Sequence, residues 1–150
     1  MTALGLALAS SSLDSSAAAA SPGAVSIGDV QIAPDASAPH EALPELGRTL
    51  RAALTDELSR VGLSQVKRPL IVSATLTRLS SERRDERTKT TATISLALRR
   101  ADDQVLFAEL RGRASVEEST NNAASLRRAA LQGAVRGAVA RLPEVVQRTP

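Results

Sequence analysis

Cysteine is absent from this 150-residue chain, which excludes disulfides, thiolate catalysis, cysteine-based zinc sites and lipidation on an N-terminal cysteine. Tryptophan and tyrosine are absent too, and Phe107 is the one phenylalanine, so a core has to be assembled from Leu, Val, Ile and Ala. Histidine occurs once, as His40, and lysine only at Lys67 and Lys89. The net charge of +3 is a mild arginine excess mixed with acids, and the high pI reflects arginine in place of lysine rather than a nucleic-acid-binding stripe. There is no phosphate-binding glycine loop, nucleophile elbow or paired-histidine motif, and catalysis and cofactor binding are not expected. No apolar run approaches the roughly 18 residues that a membrane-spanning helix needs.

What the chain does contain is alternation. Leu70, Val72, Ala74 and Leu76 share one phase, as do Ala92, Ile94, Leu96 and Leu98, and then Leu106, Ala108, Leu110, Gly112, Ala114 and Val116. Period two over three consecutive runs predicts an antiparallel meander with one buried face. Pairing Leu76 with Ala92 makes residues 80–88, almost wholly charged or polar, the first hairpin loop. Pairing Leu98 with Leu106 leaves Ala101-Asp102-Asp103 as a three-residue turn.

Upstream, residues 24–33 read as a further strand. Val25 and Ile27 lie on one phase and Val30 and Ile32 on the other, so the slip at Gly28-Asp29 suits a bulge. In residues 41–61 the apolar positions Leu43, Leu46, Leu50, Leu54, Leu58 and Val61 recur at three- and four-residue steps. That is an amphipathic helix, with Pro44 in its first turn and Gly62 as its stop. Asn121-Asn122 provides a capping region for a second helix over residues 123–146, with an inward stripe of Leu131, Val135, Ala138, Val139, Leu142 and Val146.

The order β-α-β-β-β-α predicts a single α+β domain over residues 24–147, in two layers, with both helices on the apolar face of the sheet. The first strand can sit parallel beside the second, through a crossover, or beside the fourth; the first arrangement is preferred. Residues 1–23 stand apart. The run Ala3-Leu4-Gly5-Leu6-Ala7-Leu8-Ala9 has the size of a signal h-region, and Ala18-Ala19-Ala20 offers small residues for cleavage. A charged n-region is missing, so the segment reads as a secretory signal whose start lies upstream of Met1, or else as a disordered low-complexity tail.

Candidate chemistry is sparse. His40 beside Glu41 reads as a polar residue at a helix start, and the acidic pairs Asp102-Asp103 and Glu117-Glu118 read as solvated turn and strand-end carboxylates, since neither has the spaced ligands of a calcium loop. Two surfaces suggest partner binding. In the register above, Ile71, Ala97 and Phe107 fall in one row across the outward sheet face, with Val105 nearby, amid Ser, Thr and charged residues. On the second helix, Leu126, Ala129, Ala130, Gly133, Gly137 and Ala140 form a ridge of mostly small residues opposite the core stripe. The expected partner is a protein, including another copy of the chain.

The order of elements, the helix EALPELGRTLRAALTDELSRVGL, the strand IVSATLTRL and the closing Ala-rich helix resemble small bacterial envelope domains. These are the YajG-like lipoproteins, the lipopolysaccharide-assembly lipoprotein LptE, the penicillin-binding-protein activator lipoproteins and the N-terminal domain of the TolB propeller protein. The resemblance is one of pattern over residues 24–147, and it implies a non-enzymatic periplasmic or secreted accessory role in envelope assembly or maintenance. The anchoring cysteine of the lipoprotein members is not in this sequence. The alternative is a double-stranded-RNA-binding-like module, whose helix, three strands and helix begin here at the first helix, with Gly112-Arg113 and Arg127-Arg128 loosely in the place of its basic contacts.

Overall fold

The computed structural model describes residues 25–63, 66–119 and 122–148. Its elements are β1 (Val25–Ile32), a 3-10 turn (His40–Ala42), α1 (Leu43–Arg60), β2 (Leu70–Arg84), β3 (Arg87–Arg100), β4 (Leu106–Glu118), α2 (Ala123–Val139) and α3 (Leu142–Arg148). The sheet runs β1-β2-β3-β4, with β1 parallel to β2 and the other pairs antiparallel. This is the α+β order expected, with the first strand beside the second. Residues 1–23, which carry the signal-like expectation, lie outside the described residues.

The helices cover one face of the sheet, α1 over β1 and β2, α2 over β3 and β4. Between the layers lie Leu50 and Leu54 of α1, Val72, Leu76, Ile94, Leu96 and Leu98 of the sheet, and Leu131, Val135 and Val139 of α2, all fully buried. Without large rings to fill space, this core depends on close approach of backbones. Gly112 on β4 lies under α2 with no room for a side chain.

The bulge in β1 falls between Ile27 and Val30, and it turns Val25, Ile27, Val30 and Ile32 all toward the core. Gly28 sits in it because a Cβ there would come 2.6 Å from Ile71 Cγ2 and 2.7 Å from Ser73 Oγ. Asn122 caps α2 by accepting from Ser125 N at 3.1 Å.

Several local expectations are corrected. Leu76 pairs with Ile94 and not Ala92, and Leu98 pairs with Ala108 and not Leu106. Both errors are slips of two residues, which leave every side chain on its own face and are therefore invisible to period-two alternation. Residues 80–88 are not a loop, since β2 runs to Arg84 and β3 starts at Arg87, with only Asp85 and Glu86 at the tip and Asp85 in the left-handed region (φ 55°). The apolar pattern stops there because this arm is solvated, while backbone pairing continues, with Glu82 opposite Lys89. A shift between Leu76 and Arg78 also turns Leu79 into the core.

At the other end of the meander, residues 101–105 replace the expected three-residue turn. A further shift between Leu98 and Arg99 sets Leu106 opposite Arg99 and inserts Phe107 as an extra residue. Leu106, expected inside, is therefore 49% exposed, and Phe107, expected on the outward face, packs half-buried against the core. The last helix is not continuous, because Pro143 has no N–H to give to Val139 and the chain turns at Ala140 and Arg141 before α3. Gly62 is not the stop of α1; the helix ends when Val61 becomes extended (ψ 123°).

Candidate functional site

The outward face of the sheet mixes hydroxyls with charged side chains such as Arg99, Glu109, Arg111 and Arg113. Thr77 Oγ1 donates to Thr93 O at 3.0 Å, Thr91 and Ser115 hydroxyls meet at 2.8 Å, and Ser95 Oγ donates to Glu109 Oε1 at 2.9 Å. Side chains of this kind satisfy one another and stay in contact with water. The apolar exception is a corner where β2 begins and β4 begins: Ile71 faces Arg99, and Arg99 faces Leu106, with Val105 next to it. Val105 and Leu106, 46% and 49% exposed, are the large hydrophobic side chains left in water among the described residues.

The expected row therefore re-forms differently. Ile71 and Ala97 are half-buried on the outward face but in adjacent rows, since Ala97 pairs with Ser73 and Glu109. Val105 stays exposed, Phe107 leaves the face, and Leu106 takes its place. Leu106 was missed because alternation assigns it to the core; only the bulge reverses it. On α2 the ridge largely disappears. Leu126 and Ala130 are fully buried, and Gly133 lies against β4, where a Cβ would be 2.8 Å from Ala114 Cβ. Gly133's missing side chain is explained by packing within the chain, whereas Gly137 has open space around it. The helix is buried over a wider arc than its stripe of large residues because it touches α1 as well as the sheet.

The turn between β3 and β4 holds the exposed corner in place. Asp103 accepts from Val105 N at 3.1 Å and from Arg100 Nε and Nη2 at 3.2 and 2.6 Å, while Asp102 accepts from Asp103 N at 2.8 Å. The backbone bond from Val105, helped by Arg100, holds the Asp103 carboxyl below the usual carboxylate range. Since its folded pKa is depressed, its contribution to the turn is present above the pKa of an unfolded aspartate and is lost as the pH falls through the lower, folded value. An NMR titration should show Asp103 protonating below the midpoint of a free aspartate, with the Val105 amide shift following the same curve. A midpoint at or above that of a free aspartate would mean the turn is not built this way.

Between α1 and α2 lies a groove of about 550 Å³, floored by Ala52 and Ala53. Four arginines, Arg48, Arg60, Arg128 and Arg136, and two acids, Asp56 and Glu57, line it. Arg136 Nε donates to the buried Glu57 at 3.2 Å, Arg60 meets Asp56 at 2.9 Å, and Arg128 stands 3.8 Å from Glu45. Arg128, one of the residues behind the RNA-module resemblance, thus faces a carboxylate across the helix pair. His40 is exposed in the 3-10 turn, and among the described residues no three His, Asp or Glu side chains gather at one point. Glu117 and Glu118 are exposed at the end of β4, opposite Lys89 and Thr88. No described helix is long and apolar enough to cross a membrane.

No protein-family model and no curated protein matches the sequence. Solved structures do share the fold. The hypothetical protein CT253 from Chlamydia trachomatis aligns over 86% of this chain and 100% of its own, at 13% identity and a TM-score of 0.52. A minor lipoprotein from Acinetobacter baumannii aligns over 87% of this chain and 96% of its own, at 10% identity and a TM-score of 0.51. Bacterial lipoproteins are therefore among the proteins built on this fold, and the likeness does not distinguish between the envelope families that the sequence pattern resembles.

Proposed function

We propose that the chain is a non-catalytic accessory protein of the bacterial cell envelope, periplasmic or secreted, that works through protein contacts. The observation that supports this most directly is the fold it shares, over nearly the whole domain, with a bacterial lipoprotein. Two features of the chain agree with that reading. Residues 1–23 have the apolar run and small-residue site of a secretory signal. The side chains that stand out on the outward sheet face are apolar, Ile71, Ala97 and Val105 with Leu106 beside them, set among hydroxyls and the charged Arg99 and Glu109.

Fractionation of the cells that naturally make the protein, followed by N-terminal sequencing of the mature product, tests the location. The expected result is a periplasmic product beginning near Ser21. An intact Met1 terminus in the cytosol would overturn the envelope assignment.

A further inference from the structure

The two edges of the sheet are unlike. β1 is 8 residues long and broken by its bulge, so it is a poor template for another strand. β4 is 13 residues long, contains no proline, and has its one irregularity at Phe107, near its start. Among the described residues, the backbone of residues 107–118 makes no hydrogen bond outside the ladder with β3. A long strand with one free row of N–H and C=O groups invites a further strand.

Charges usually blunt such an edge, but here their signs are arranged to suit a copy of themselves. Glu109 and Arg111 flank Leu110 and share the outward face. Within its own strand Arg111 reaches Glu109 only at 3.5 Å, with most of its side chain in water. We propose that β4 pairs antiparallel with β4 of a second copy about a two-fold axis through Leu110, joining two four-stranded sheets into one.

In that register Glu109 of each copy faces Arg111 of the other, so two cross-strand ion pairs form. With Phe107 as the extra residue, Leu106 of each copy comes to lie on the outward face beside Arg113 of the other, whose aliphatic stem covers part of it. Neighbouring registers do worse. An axis at Arg111 pairs Glu109 with Arg113 but sets Arg111 against itself, one at Gly112 opposes Arg111 and Arg113, and those at Ala114 and Ser115, which pair Arg111 or Arg113 with Glu117, leave Val105 and Leu106 beyond the paired segment. The proposal does not depend on the envelope reading, because a cytosolic chain would form the same pair.

Sedimentation equilibrium on the purified full-length protein tests it. A dimer is expected for the wild type, with Glu109→Arg and Arg111→Glu each weakening it about tenfold or more, because each puts two pairs of like charges together. The double reversal, E109R with R111E, is expected to restore it. Circular dichroism checks that each variant is folded. A wild type that stays monomeric into the hundred-micromolar range, on the order of ordinary weak association, overturns the proposal, whether the edge is then free, covered by residues 1–24 or kept for another protein. A dimer that ignores the single reversals, or that the double reversal does not recover, overturns it as well.

Discussion

Replacing Gly112 with alanine is expected to lower stability by about 3 kcal/mol or more, a drop of roughly 10 °C in the melting temperature. A Cβ at this position would overlap the carbonyl oxygen of Ala134 and lie 3.0 Å from Ala138 Cβ. The obstacle is helix backbone, which cannot rotate aside as a side chain would. To admit one methyl group, α2 has to lift from β4, and the contacts of Leu131, Val135 and Ala138 with the sheet loosen together. Two other glycines supply the scale. Gly133→Ala presses on the Cβ of Ala114 at 2.8 Å, which is fixed to its strand but is a single carbon met less closely than the Ala134 carbonyl, and should cost about 1 to 2 kcal/mol. Gly137→Ala meets nothing within 4 Å and removes a flexible residue from a helix interior, so it should stabilise by about 0.5 to 1 kcal/mol. Thermal melts should therefore rank G137A above wild type, then G133A, then G112A. If G112A melts with the wild type, the close crossing of strand and helix is wrong.

Ile94→Ala is the second large loss, expected at about 2 to 5 kcal/mol. Ile94 is fully buried on β3, between Leu76 of β2 and Gly112 of β4, with α2 above. Deleting its three outer carbons beside a glycine that has no side chain leaves a void that nothing nearby can fill. The core holds no large ring to swing in, and Phe107 packs only at its margin. Urea denaturation should show a lower midpoint with an unchanged slope, since the surface exposed on unfolding stays nearly the same. Thr93→Ala, one residue earlier on the solvated face, should stay within about 0.5 kcal/mol of wild type. Equal effects at the two positions would mean that the sheet has no distinct buried face.

Stability and the proposed pairing thus rest on different parts of the same strand. Gly112 and Ala114 hold α2 down on the inner side of β4, while Val105, Leu106, Glu109 and Arg111 occupy its start and outer face. Substitutions in the second group can be tested for association without taking the core apart.

Element order, the buried face of each strand and the core side of α1 were legible in the sequence because each rests on local periodicity: two residues for a strand, about three and a half for a helix. The bulge at Gly28-Asp29 was legible for the same reason, as a change of phase between Ile27 and Val30. The strand registers were not, because a slip of two residues preserves the alternation. Nor was the site. Leu106 is exposed and Phe107 is drawn toward the core because one extra residue enters β4, and Leu126 and Ala130 are buried because α2 is enclosed by both the sheet and α1. Periodicity along the chain determines which way a side chain points, but which side chains stay in water is settled only when distant segments pack against one another.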